Sequence, residues 1–152
     1  MNSNMYSNTL ENAWVLFESH LSGQHDALLI VLSSVSLNEA ATTALQKTFA
    51  QLGYGSAAGT FITLANDEGS VILSGSELFL LLESLDPCLI IITDKSAVNL
   101  FSQAYKKPVE HDKQRRIFGR EVRAFESFET LLESSPGKQK AWAQLKTLPK
   151  LV

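Results

Sequence analysis

Hydroxyl and carboxylate side chains follow two apolar runs of this sequence, ALLIVL at 27–32 and CLIII at 88–92, where strands of an α/β protein would end. The first run is followed by Ser33, Ser34 and Ser36, and the second by Thr93, Asp94 and Ser96. Because open α/β sheets bind ligands at the carboxyl ends of their strands, these residues could line a strand-end pocket. A serine there could act as a nucleophile if a base lay within hydrogen-bond reach.

The same residue types also cap helices, and this is the interpretation that we favour. An oxygen of Thr93, Asp94 or Ser96 can accept from the first N–H groups of a helix that begins near residue 95, and the charge of Asp94 suits the positive end of that helix. Ser36 or Asn38 can cap the helix that follows the first apolar run in the same way. The GxSxG elbow of serine hydrolases is absent, and we predict no catalytic residue.

Positive charge is concentrated in the stretch YKKPVEHDKQRRIFGREVR, residues 105–123. It holds seven of the thirteen lysines and arginines, which are the candidate binding residues: Lys106, Lys107, Lys113, Arg115, Arg116, Arg120 and Arg123. One interpretation is a solvated loop, because Pro108 and mixed charges follow the first two lysines. The other is a face that contacts phosphate groups, although Glu110, Asp112 and Glu121 dilute it. We favour the loop and expect weak or absent binding of nucleic acid.

The formal net charge of −3 conceals an uneven distribution. Residues 1–94 hold ten acidic side chains and one basic side chain, a net charge of −9, whereas residues 95–152 hold twelve basic and six acidic ones, a net charge of +6. Such a division indicates an anionic partner for one face of the protein. The basic segment could dock an acidic protein surface instead of DNA, and another protein is the partner that we expect.

The sequence indicates no cofactor and no metal site. The motifs GxGxxG and GxxxxGK[ST] are absent, which argues against dinucleotide and P-loop phosphate binding. The histidines, His20, His25 and His111, lack the spacing of metal ligands, and a single cysteine excludes an intrachain disulfide. That cysteine, Cys88, lies in an apolar run, so we expect its thiol to be buried.

Composition places the chain among ordinary globular proteins, with 45% hydrophobic and 19% charged residues in a length of 152. The N-terminus lacks the pattern of a signal peptide, and no apolar run approaches the roughly 20 residues of a membrane span. We expect a cytoplasmic protein without membrane association. It should form a single α/β domain over residues 1–152, with residues 1–8 flexible.

Apolar spacing predicts alternating strands and helices. The predicted strands are 27–32, 60–65, 88–93 and 120–124. The first predicted helix has its apolar face over 10–21 and ends near Gly23. Further helices are predicted at about 39–52, at 77–85, from 95, at 126–133 and at 136–148, the last with Ser135 as its cap. This order predicts an α/β fold, a three-layer sandwich whose four-stranded, mainly parallel sheet has the strand order 2-1-3-4.

Two segments resemble members of the uracil-DNA glycosylase superfamily. LDPCLIIITDKSAVNLF (85–101) is similar to its third-strand segment, in which a proline precedes an apolar strand, a turn and a helix. AFESFETLLESSPGKQKAWAQLKTL (124–148), with its Ala141-Trp142 pair, resembles the last two helices of a small non-catalytic group in that superfamily, the psi-subunit family of the bacterial DNA polymerase III clamp-loader complex. The resemblance covers residues 26–148, rests on pattern, and implies a minimal uracil-DNA glycosylase-like fold.

The chain departs from this superfamily where its active members carry catalytic side chains. Active members place an acidic residue after the first strand and a histidine after the last. The corresponding stretches here are LSSVSLN (32–38), which has no acidic residue, and RAFESFE (123–129), which has no histidine. General acid–base help is worth about 10²–10⁴-fold in rate, so we expect no base excision by that mechanism.

Two classes of function remain open. The one that we favour is a non-catalytic interaction module that binds another protein, in DNA replication or repair as the resemblance implies. The other is a small enzyme or ligand-binding protein that uses the strand ends at Ser33-Ser34, Leu64-Ala65 and Thr93-Asp94. A deep polar pocket at those strand ends would favour the second class.

Overall fold

Strands and helices alternate along the chain. A computed structural model describes residues 5–150 apart from Ala27, Ser56, Asp67 and Asp112, and it does not describe the side chains of residues 5–8. In this part of the chain the strands are Leu21–Gly23 (β1), Leu29–Ser33 (β2), Thr60–Thr63 (β3), Leu89–Ile92 (β4), Arg115–Ile117 (β5) and Arg120–Ala124 (β6). The α-helices are Met5–Leu16 (α1), Glu39–Gln51 (α2), Gly75–Leu85 (α3), Lys95–Tyr105 (α4), Phe128–Leu131 (α5) and Ser135–Leu145 (α6).

The strands form one mixed sheet in the order β1-β3-β2-β4-β6-β5. Its four inner strands run parallel, and its two edge strands, β1 and β5, pair antiparallel with their neighbours. The α/β class is confirmed, but the prediction of a four-stranded sheet is not, because the sheet has six strands. The edge strands have three residues each and expose most of their side chains, so neither has the apolar run by which the inner strands were predicted.

Helices cover both faces of the sheet, which explains the continuous apolar runs of β2 and β4. Successive strand residues point to opposite faces. Ile30 and Leu32 therefore join a core formed with α1, α3 and α4, whereas Leu29 and Val31 join a second core formed with α2, α5 and α6. The sheet is buried between these two layers of helices.

Side-chain caps determine where several helices begin. Asn38 caps α2, and Ser74 caps α3 in a reciprocal capping box with the glutamate three residues later. The cap of α6 is Ser134, whose hydroxyl accepts from the N–H of Gly137 at 3.1 Å. The prediction of Ser135 was wrong by one residue. A cap accepts from the N–H three positions on, and Ser135 already belongs to the first turn of the helix.

Three further expectations need correction, and a fourth falls partly outside the described residues. The first helix, predicted to end near Gly23, ends at Leu16, and Leu21 begins β1 opposite Ile62 after a 3₁₀ turn. The side chain of Cys88, expected to be buried, is exposed because this residue precedes the buried strand β4. The two final helices, predicted at 126–133 and 136–148, are shorter. Of the segment predicted to be flexible, residues 1–4 lie outside the described residues and residues 5–8 belong to α1.

Candidate functional site

Four of the predicted strand-end residues come together after β2 and β4. The hydroxyl of Thr93 donates to Ser33 Oγ at 2.7 Å. The backbone N–H of Ser34 donates to Asp94 Oδ2 at 2.8 Å, and the Ser34 hydroxyl donates to Asp94 Oδ1. These contacts form because β2 and β4 are adjacent parallel strands that end at the same edge of the sheet. We call these four residues the strand-end cluster.

Within this cluster, Asp94 is a helix cap, as the sequence predicted. Its Oδ1 also accepts from the N–H of Ala97 at 2.9 Å, in the first turn of α4. Asp94 thus connects the end of β2 to the start of α4. Neither Ser33 nor Ser34 contacts a histidine or a lysine among the described residues. The geometry is that of a structural connection rather than of an activated nucleophile.

A small cavity of about 270 Å³ lies beside the ends of β2 and β3. Ser33 and Ser36 contribute to its wall, together with Thr42 and Gln46, and none of its lining residues is ionisable. Ser96, the remaining strand-end candidate, is exposed on the first turn of α4. In the described parts of the chain, no group of three histidine, cysteine or acidic residues could hold a metal ion. The cavity offers hydroxyl and amide groups to a polar ligand and no general acid or base.

The seven cations of the basic segment occupy different environments. Arg120 and Arg123 are 8% and 1% exposed, and they point to opposite faces of the sheet because three positions separate them in β6. Both were candidate binding residues, and their burial removes them from any surface that could contact phosphate. Within the described residues, the members that are exposed without an ionic partner are Lys106, Lys107 and Arg115.

The buried guanidinium of Arg120 is held from the end of α3. It contacts Glu83 Oε2 at 2.7 Å and Asp86 Oδ1 at 2.8 Å, and its Nε donates to the carbonyl of Pro87 at 2.9 Å. Burial alone would lower the pKa of Arg120, but the hydrogen bonds to Asp86 and Glu83 raise it overall. The hydroxyl of Tyr105 donates to the same Glu83 oxygen at 2.7 Å. Burial, and then this hydrogen bond, raise the pKa of Tyr105.

Glu121 is the ionic partner of the arginines on the opposite face of the sheet from Arg120. Its carboxylate contacts Arg123 at 3.0 Å and Arg116 at 3.2 Å. The Nε of Arg123 also donates to Thr147 Oγ1 at 2.8 Å, beyond the end of α6. Lys113 forms an exposed ion pair with an acidic residue three positions earlier. Most of the basic segment is therefore neutralised within the protein.

An apolar groove with a volume of about 650 Å³ lies between α2 and α6. We call it the α2/α6 groove. Ala40 and Ala44 of α2 form one side, and Trp142 of α6, which is 38% exposed, forms the other. Phe128 and Leu145 lie between the two helices. Because the side chains of Ala40 and Ala44 are small, the space between the two helices stays open.

Positive charge borders this groove. Lys47 and Lys138 line it, and neither has an ionic partner in the described part of the chain. Lys47 is the single basic residue of positions 1–94. Glu39 is the acidic residue at the start of α2 that also lines the groove. The sequence analysis did not identify this site, although Ala40, Ala44 and Lys47 recur at helical spacing beside the core positions of α2.

Comparison with known proteins assigns no family to the chain. A scan against protein-family models and a search of the curated proteins found no match. The resemblance to the uracil-DNA glycosylase superfamily therefore stays a prediction. Over 5–150, leaving aside the four undescribed positions, no helix combines the length and the apolarity that crossing a membrane requires. The cytoplasmic location also stays a prediction.

Proposed function

We propose that this chain is a non-catalytic binding module of uracil-DNA glycosylase-like architecture, which serves DNA replication or repair by binding another protein. The observation that carries the proposal is the open, apolar α2/α6 groove with its exposed Trp142. At the strand ends, by contrast, the polar groups of Ser33, Ser34, Thr93 and Asp94 bind each other. The α2/α6 groove thus offers a surface to a partner, whereas the strand ends offer no free reactive group of the kind that an enzyme needs.

The α2/α6 groove would bind an amphipathic helix of the partner, because it is apolar and lies between two helices. Helix-in-groove recognition places apolar side chains at positions i, i+3, i+4 and i+7 into an elongated depression between helices. The volume of about 650 Å³ lies within the usual range of binding sites. Trp142 is the residue type that most often dominates such interfaces. Lys47 and Lys138 would pair with acidic residues along the edges of that helix.

The glycosylase-like part of the proposal is supported by the order of elements. The inner strands follow the order β3-β2-β4-β6, all parallel, with helices on both faces. Two helices follow the last strand, and the second contains Ala141-Trp142. The stretches after β2 and β6 lack the acidic residue and the histidine of active members. A uracil-containing oligonucleotide incubated with the purified protein should therefore remain free of abasic sites.

Site-specific photo-crosslinking from the groove tests the proposed partner binding. A photoreactive amino acid at Ala44 should cross-link a protein in cell extract, whereas the same group at exposed Val35 should not. The cross-linked protein is then purified and titrated against the wild-type chain and the Trp142→Ala variant. Trp142→Ala should weaken binding by about 30-fold or more, and a cooperative urea transition will show that the variant is still folded. Equal cross-linking from both positions, or equal affinity of the variant, would contradict the proposal.

A small-ligand site is the second candidate function, and the cavity beside Ser33 and Ser36 favours it. Screening of small polar compounds by amide chemical-shift mapping would discriminate between the two. Compounds that shift the amides of residues 33–36 and leave the groove unchanged would support a ligand-binding protein. Shifts confined to α2 and α6 would support the interaction module.

A further inference from the structure

A second apolar pocket lies on the face of the sheet that carries α3 and α4. Its aromatic members are Phe79 of α3, Tyr105 of α4, and Phe118 in the turn between β5 and β6. Ring centroids lie 5.0 Å apart for Phe79 and Tyr105, and 5.2 Å apart for Tyr105 and Phe118. Tyr105 is buried, whereas Phe79 and Phe118 are 37% and 57% exposed. We call this cavity of about 600 Å³ the aromatic pocket.

Phe118 of the aromatic pocket has an unfavourable backbone conformation. Its φ of 51° lies in the left-handed region that disfavours residues other than glycine, asparagine and aspartate. Lys106 has a similar φ of 55°, but it is the C-cap of α4, where helices commonly adopt this conformation. At the first position of a turn followed by Gly119, asparagine is the usual residue. The backbone conformation of Phe118 is therefore unfavourable, and burial of its ring does not compensate, because the ring is largely exposed. Strained residues of this kind are concentrated at binding and catalytic sites.

The border of the pocket is positively charged. Lys106 lines it and Lys107 follows, and both are exposed without an ionic partner among the described residues. In the part of the chain that the structure describes, two acidic groups contact residues of the pocket, and both have partners: Glu83 is bound to Tyr105 and Arg120, and Glu77 accepts from the N–H of Ser74. An anionic group that approaches the pocket would therefore meet two lysines that the protein itself does not neutralise.

We propose that the aromatic pocket binds a short acidic segment of a protein that packs one aromatic side chain against the exposed rings of Phe79 and Phe118. These two rings lie 88° apart with centroids separated by 6.5 Å, which forms a corner that a third ring can complete edge to face. Carboxylates next to that side chain pair with Lys106 and Lys107. This site is separate from the α2/α6 groove and does not depend on the function proposed for it.

The geometry fits single-stranded nucleic acid less well. Bases stack on ring faces that follow one another along a cationic channel, whereas here the two exposed rings are perpendicular. Residues 1–94, which include α3, carry a net charge of −9 and repel a long polyanion. A segment with a few carboxylates can contact the lysines without passing over that acidic surface.

Anisotropy titrations of the full chain test the proposal with a fluorescein-labelled peptide of acidic residues around one central phenylalanine. The control peptide has alanine in the central place, and a labelled oligothymidylate of about 12 nucleotides tests the nucleic-acid alternative. The phenylalanine peptide should bind about ten-fold more tightly than the alanine peptide. Equal binding of both peptides, tighter binding of the oligothymidylate, or no binding of the phenylalanine peptide would overturn the proposal.

Two variants remove the binding groups while they relieve the backbone strain, so loss of folding does not confuse the result. Phe118→Asn and Lys106→Gly should each weaken the phenylalanine peptide by about ten-fold and leave the unfolding temperature unchanged or higher. The groove variant Trp142→Ala should bind this peptide like the wild type, which separates the two proposals. A dimer in sedimentation that dissociates on Phe118→Asn would identify a second copy of the chain as the occupant and would refute the peptide.

Discussion

Replacing Asp94 by alanine measures how much the strand-end cluster stabilises the fold. The change removes the N-cap of α4, which costs about 1 kcal/mol. It also removes two hydrogen bonds from Ser34 to an ionised acceptor, each worth about 1.5 kcal/mol, at the low end because Asp94 is only partly buried. We expect the free energy of unfolding to fall by about 3–4 kcal/mol, a large part of the roughly 5–15 kcal/mol of a typical domain.

Asp94→Asn separates the two contributions. Asparagine caps helices as well as aspartate does, but its NH₂ group would face the N–H of Ser34 in place of Oδ2. We expect a loss of about 1.5 kcal/mol, smaller than for alanine. Ser96→Ala, an exposed change in the same turn, is the control and should cost less than about 0.5 kcal/mol.

Urea unfolding followed by circular dichroism gives these values. With a slope of about 2 kcal/mol per molar urea, Asp94→Ala should lower the midpoint by about 1.5–2 M and Asp94→Asn by about 0.7 M. A midpoint change below about 0.5 M for Asp94→Ala would correspond to the cap alone. The hydrogen bonds from Ser34 would then contribute nothing, and our account of the cluster would be refuted.

Three further predictions concern other parts of the fold. Gly137→Ala should lower the free energy of unfolding by about 1–3 kcal/mol, because the new Cβ would lie 2.0 Å from a carbonyl oxygen at the end of α5. The control is Gly75→Ala, whose Cβ would have its nearest contact at 3.8 Å, and it should be neutral or stabilising in the same unfolding assay. Hydrogen bonds from Ser74 lower the pKa of Glu77 in the folded protein. The ionised carboxylate therefore stabilises the fold above its unfolded pKa of about 4.3, and this stabilisation is lost as the pH falls through the folded pKa. Glu77→Gln should flatten the stability profile in that acidic range, and an unchanged profile would contradict this assignment. Absorbance titration should show Tyr105 still protonated well above its usual pKa of 10.0, and ionisation near that value would disprove its burial against Glu83.

Long apolar runs made the inner sheet predictable. The strand predicted at 120–124 has those bounds in the structure. The run at 88–93 contains β4, and the run at 27–32 covers all of β2 except its last residue, Ser33. Parallel strands that are neighbours must end side by side, so the proximity of Ser34 and Asp94 follows from that prediction. The edge strands β1 and β5 could not be predicted in the same way, because three mostly exposed residues carry no hydrophobic period.

The contacts that each side chain makes were harder to predict from the sequence. The period of two in β6 could have indicated that Arg120 and Arg123 point to opposite faces, and therefore that the seven cations form no single surface. Their carboxylate partners could not have been identified, because Glu83 reaches Arg120 from 37 positions away through the packing of α3. The aromatic pocket could not have been predicted for the same reason, since Phe79 and Phe118 are far apart in the sequence and come into contact only in the folded chain.

The short edge strands limit how this protein can recognise a partner. A neighbouring chain can extend a sheet only along an edge with free backbone groups and little steric or electrostatic obstruction. At one edge, β1 has only three residues, and so short a strand offers few backbone groups for pairing. At the other, strand addition would bring a second backbone against Arg115 and Arg116. Strand addition and edge-to-edge aggregation are thus disfavoured at both ends, which leaves the helical faces and the aromatic pocket as the surfaces for association.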